Sequence, residues 1–65
     1  MQITLNGQLI ETQQTTLNGL LVEQGYVDCS IATAMNDQFV PQTLRESTEL
    51  HEKCSIEVVA PMQGG

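Results

Sequence analysis

The dipeptide Asn6-Gly7 narrows what this chain can fold into more than any other feature. Ahead of it Met1, Ile3 and Leu5 alternate with Gln2 and Thr4, the period-2 pattern of a strand with one buried face. A two-residue type I′ turn needs positive φ at both central positions, and Asn-Gly is a pair that accepts this. Residues 8–11 are therefore predicted to return as the second strand of a hairpin.

The next segment changes period. Leu17, Leu20 and Leu21 are spaced for one face of a helix, with Thr15 or Thr16 ahead of them as N-cap and Gly25 as the left-handed stop. Gly19 inside this helix costs about 1 kcal/mol relative to alanine. Residues 30–35 are short, apolar and small, as expected of a strand covered on both faces. Asn36-Asp37-Gln38 reads as a turn, and Phe39-Val40 as the start of an edge strand ended by Pro41, which has no N–H for a ladder. Residues 42–53 are polar and irregular, with room for one short helical turn. Residues 55–60 form the last strand, Ile56 and Val58 on one face, and Pro61 stops it.

The predicted order is hairpin, helix, strand, short strand, strand. That order is the β-grasp arrangement of ubiquitin-like proteins: an α+β domain over residues 1–60, with a mixed four- to five-stranded sheet and one main helix. Leu17, Leu20 and Leu21 are expected to bury against Ile3, Leu5, Ile56 and Val58. Residues 61–65 are expected to form a flexible tail, since terminal residues without packing partners generally are mobile.

Composition limits the function. Sixty-five residues make one domain with a small core and little room for a walled catalytic pocket, which points to binding or carrying. Two basic residues, Arg45 and Lys53, face eight acidic ones, a formal net charge of -6. Nucleic acid needs a basic footprint, and an anionic membrane surface needs one too, so neither partner is expected. A protein with a basic docking face is the natural complement. The opening MQITLNG has neither a basic n-region nor an apolar h-region, and no apolar run approaches the roughly 20 residues of a membrane span. A cytoplasmic protein is expected, with Cys29 and Cys54 as reduced, buried or half-buried hydrophobes.

The chemistry is expected at Gly64-Gly65. Without Cβ atoms, two terminal glycines can thread a narrow channel and adopt backbone angles closed to other residues. A free carboxylate is a poor electrophile. Joined to AMP by an ATP-using partner it gains a leaving group, and a sulfur nucleophile can then convert it to a thiocarboxylate, itself a ready sulfur donor.

Four stretches together resemble one family. Met1-Gln2-Ile3 with Asn6-Gly7 is similar to its first hairpin, Thr16-Leu17 with Leu20-Leu21 to its helix, and Ala34-Met35-Asn36 through Phe39-Val40-Pro41 to a central signature. Gln63-Gly64-Gly65 resembles its tail. The family is that of the bacterial sulfur carrier proteins of thiamine biosynthesis, the ThiS family, and the resemblance spans nearly the whole chain. It implies a carrier with no catalytic residue of its own and no bound cofactor. The resemblance makes Gly65 the residue adenylated, with ATP, by an adenylyltransferase related to ubiquitin-activating enzymes, then converted to a thiocarboxylate. Its sulfur would pass to thiazole synthase. The chain departs from the family in having Gln42 where an arginine often follows the proline. It also reads Glu52-Lys53-Cys54 where a Gly-Asp turn usually precedes the last strand.

Related readings of the same tail are the small sulfur-carrying subunit for molybdopterin synthesis and a ubiquitin-like modifier of lysines. A plain interaction module is the reading from another class. His51, Glu52 and Cys54 are near in sequence, but a zinc site usually needs four ligands and nothing orients the histidine for nucleophile activation, so they read as surface polar residues. Phe39 reads either as core or as an aromatic docking anchor. Val59 and Met62 are docking candidates because they adjoin whatever receives Gln63, Gly64 and Gly65.

Overall fold

The computed structural model describes residues 1–26 and 30–60. The tail expected over 61–65 and the thiol of Cys29 lie outside the described residues. Five strands and one α-helix run in the order β1 (Gln2–Leu5), β2 (Gln8–Glu11), α1 (Leu17–Glu23), β3 (Ala32–Met35), β4 (Gln38–Val40), a 3₁₀ turn (Gln42–Leu44) and β5 (Ser55–Val59). They form one mixed sheet in the spatial order β2-β1-β5-β3-β4. The last strand is the middle one, parallel to β1 and antiparallel to β3.

One face of the sheet buries Ile3 and Leu5 from β1, Ile56 and Val58 from β5, and Val40 from β4. Against them packs the stripe Leu17, Leu20 and Leu21 of α1, joined by Leu50 and Cys54. This is the core that the alternation and the helical spacing predict, enlarged from the long polar segment by Leu50.

That segment is less irregular than its composition suggests, because it completes the start of the helix. The first four N–H groups of a helix have no partner within it. Here Leu17 N–H donates to the Thr48 carbonyl at 2.8 Å and Asn18 N–H to the Arg45 carbonyl at 3.0 Å. Gly19 N–H donates to Thr16 Oγ1 at 3.1 Å, which settles the N-cap between the two threonines. A Cβ on Gly19 would sit 2.5 Å from Gln14 Oε1, the far end of a flexible side chain that would have to swing aside. At the other end Tyr26 N–H reaches the Leu21 carbonyl and Gly25 N–H the Val22 carbonyl, with Gly25 at φ 89. These two bonds are a Schellman cap.

Arg45 is buried rather than part of the solvated surface. Its Nε donates to Thr33 Oγ1 at 3.1 Å and its Nη2 to the Ile31 carbonyl at 2.8 Å, while Thr33 Oγ1 donates to the Val40 carbonyl. The network ties the loop after the 3₁₀ turn to β3 and β4.

Both hairpin turns open on an asparagine with positive φ. Asn6 and Gly7 lie at φ 51 and 81, Asn36 and Asp37 at φ 51 and 70. A left-handed residue turns its carbonyl out of the ladder, and in each turn the side chain takes its place. Asn6 N–H donates to the Ile56 carbonyl while Asn6 Oδ1 accepts from Val58 N–H at 2.8 Å. Asn36 N–H donates to the Ser55 carbonyl while Asn36 Oδ1 accepts from Ser55 N–H at 2.9 Å. Two asparagines, one on each side, thus extend the pairing of the central strand.

One expectation is corrected. The strand at 30–35 is covered on one face only: Thr33 is buried, but Ala32 and Ala34 stand on the open side of the sheet, opposite Val59 and Glu57. Small apolar residues there leave a shallow surface instead of filling a second core.

Two substitutions test this frame by denaturant unfolding. Asn6→Ala removes the acceptor of Val58 N–H and puts alanine at positive φ, so it is expected to cost about 1–3 kcal/mol. Lys53 sits at φ 68 just before β5, a left-handed position that glycine accepts without strain. Lys53→Gly relieves a strain of about 1–2 kcal/mol and loses about 0.5–1 kcal/mol to the freer unfolded chain, so a gain of about 0.5–1 kcal/mol is expected.

Candidate functional site

Side-chain alternation divides every strand into a core row and an open row. Across the open face the rows run Leu9, Thr4 and Ser55, then Phe39, Ala34 and Glu57, then Ala32 and Val59. Phe39 is 69% exposed, Val59 61% and Leu9 63%, which removes Phe39 from the core and puts three large apolar side chains on this face of the sheet. Scattered apolar residues on a surface are ordinary, but a contiguous group is a mark of interaction.

Phe39 and Val59 come together. They line one groove with Ala32, Thr33, Ala34 and Glu57. The two alanines set its depth, because a larger side chain on β3 would fill the space between the flanking strands. Phe39 can stand there because β4 is the edge strand, while Val59 closes β5 one residue before Ala60 and the start of the tail. The groove therefore adjoins the point where the chain leaves the sheet. Met62, Gln63, Gly64 and Gly65, the other residues singled out from the sequence, lie outside the described residues.

The remaining polar candidates go elsewhere. His51 is exposed, Glu52 Oε2 accepts from Gln2 N–H at 3.0 Å, and Cys54 is a buried free thiol in the core. Among the described residues no three His, Cys, Asp or Glu side chains gather as a metal site. No described helix is long and apolar enough to cross a membrane.

Sequence reasoning missed Glu57 and the alanines of β3. Once the register is known, the alternation Ser55-Ile56-Glu57-Val58-Val59 assigns Glu57 to the open row. The signal was present but had no partner strand to be read against.

Five strands in this order around one helix make the β-grasp fold. The same fold is seen in the crystal structure of a thiamine biosynthesis protein (ThiS) from Geobacter metallireducens. That protein is 17% identical in sequence and superposes with a TM-score of 0.86 over 100% of both chains. The ThiS family model matches residues 3–65. The chain belongs to the ThiS family, whose members are small sulfur carriers that act with partner enzymes of thiamine synthesis. No curated protein matches it in sequence.

Because the open row contributes little to the core, Phe39→Ala and Val59→Ala are expected to lower stability by less than about 1 kcal/mol. Ile56→Ala, which empties a fully buried position, is expected to cost about 2–5 kcal/mol. Thermal or denaturant unfolding of the three variants checks the contrast.

Proposed function

We propose that this protein carries sulfur for thiazole formation in thiamine biosynthesis, with the carboxylate of Gly65 as its reactive group. The observation that carries the reading is the family match, which runs from the first strand to Gly65. A carboxylate oxygen of Gly65 attacks the α-phosphorus of ATP, and pyrophosphate leaves. A sulfur nucleophile at the oxidation level of hydrosulfide then attacks the acyl carbon, AMP departs, and a thiocarboxylate remains. That group donates its sulfur to thiazole synthase. ATP binds on the partner, an adenylyltransferase related to ubiquitin-activating enzymes, and catalysis belongs to the partners.

The domain over residues 1–60 serves as handle and address, and residues 61–65 as the arm that is handed over. Gln63 and Gly64 lead Gly65 into the partner's channel, where the absence of Cβ atoms matters most. Phe39 and Val59 form the docking surface at its root, and Met62, three residues after Val59 in the sequence, is the further residue assigned to docking. An aromatic and an aliphatic side chain, both exposed and placed next to the root of the arm, are suited to anchor a partner that must also reach the terminus. A cytoplasmic location accords with ATP as co-substrate and with thiols kept reduced.

The test is intact-mass spectrometry after incubation with the adenylating partner, ATP and a sulfide source. Wild-type protein is expected to show one oxygen exchanged for sulfur. A chain lacking Gly65 is expected to keep its unfolding midpoint and to show no exchange. Conversion of the shortened chain would contradict the proposal, and ladders of lysine-linked species in cells would point to a protein modifier instead.

A further inference from the structure

The open face has an electrostatic character that its apolar residues do not require. Its strand positions are Gln2 and Thr4 from β1, Leu9 and Glu11 from β2, Ala32 and Ala34 from β3, Phe39 from β4, and Ser55, Glu57 and Val59 from β5. Both ionisable residues of that set are acids. Of the two basic residues of the chain, Arg45 is buried in the network beneath β3, and Lys53 lies in the turn before β5. Glu57 is the acid set among the apolar groups: it lines the same groove as Phe39 and Val59 and pairs across β3 with Ala34.

A second copy of this chain is a poor occupant. The strand positions of two such faces would offer each other acids and no cation to neutralise them. Desolvating a carboxylate without a partner is costly, so whatever covers this groove must supply a positive charge where Glu57 lies and apolar surface around it. We propose that Glu57 is a specificity-determining residue of the docking face. It receives an arginine or lysine side chain of the adenylating partner, set between apolar groups that pack on Phe39, Val59 and the β3 alanines. This rests on the function proposed above and adds to it the chemistry by which that partner is chosen. Apolar contact supplies adhesion to many surfaces; a single carboxylate within it admits a cation and rejects a surface that carries an acid or nothing at that point.

The experiment measures binding of the carrier to the purified adenylating enzyme of the same organism, by calorimetry at low and at moderate salt, alongside the mass assay. Glu57→Gln is expected to weaken binding about tenfold or more and to flatten its salt dependence, and Glu57→Arg to weaken it further. Glu46→Gln, which removes the same charge from the loop after the 3₁₀ turn, is expected to change affinity less than about twofold, separating a local contact from net charge. An acidic substitution of the enzyme's facing cation should restore binding to Glu57→Arg. If wild-type protein binds and is loaded with sulfur while Glu57→Gln binds as tightly with the same salt slope, this inference is overturned and the carrier function stands. If wild-type protein does not bind the enzyme, both fall together.

Discussion

The structure depends on β5 being held from both sides. It is the last strand in the chain and the middle strand of the sheet, so β1, the first strand, needs residues some fifty positions later to complete the core. Its pairing is short on the β1 side, two residues in register, and the backbone alone would leave Val58 N–H without an acceptor there. Asn6 Oδ1 supplies one, and Asn36 Oδ1 does the same for Ser55 N–H at the other edge. An unmet N–H in a half-buried central strand would cost about as much as the side-chain bond contributes, a sizeable share of a small domain's net stability. The same asparagines make the turns and grip the strand.

That arrangement separates rigidity from chemistry. β5 presents Ile56 and Val58 to the core and Glu57 and Val59 to the open face, so the strand that anchors the sheet also bears part of the groove. The residues of the tail follow directly from it. The proposed function asks that the carrier be recognised by its fold while its end is handed to another active site, and a central strand running out toward residue 60 fits that demand. The charge balance follows the same logic: with Arg45 spent on the Ile31 carbonyl and Thr33, the exterior is more acidic than the composition alone implies.

Much of this was legible in the residues. The Asn6-Gly7 hairpin, a threonine cap at Thr15 or Thr16, the Gly25 stop and the stripe of three leucines follow from local periods and turn chemistry; the structure bears them out and makes Thr16 the cap. Local pattern does not carry what depends on neighbours distant in sequence. The carbonyls of Arg45 and Thr48 capping α1, and the burial of Leu50, belong to a segment whose polarity reads as loop. The open side of β3 was hidden because small apolar residues look alike whether they pack under a helix or line a groove. Phe39 was ambiguous for the related reason that an edge strand offers a core side and a bare side, and one residue of register decides between them.

The central claim is that the asparagine-braced β5 is the most stable part of the molecule and stays so independently of the tail. Native-state hydrogen exchange on Val58 N–H tests this most directly. The account predicts that this amide exchanges only through global unfolding, among the slowest in the protein, and keeps that protection when Gly65 is removed. Exchange of Val58 at the rate of the exposed turns, or loss of its protection on shortening the tail, would contradict it.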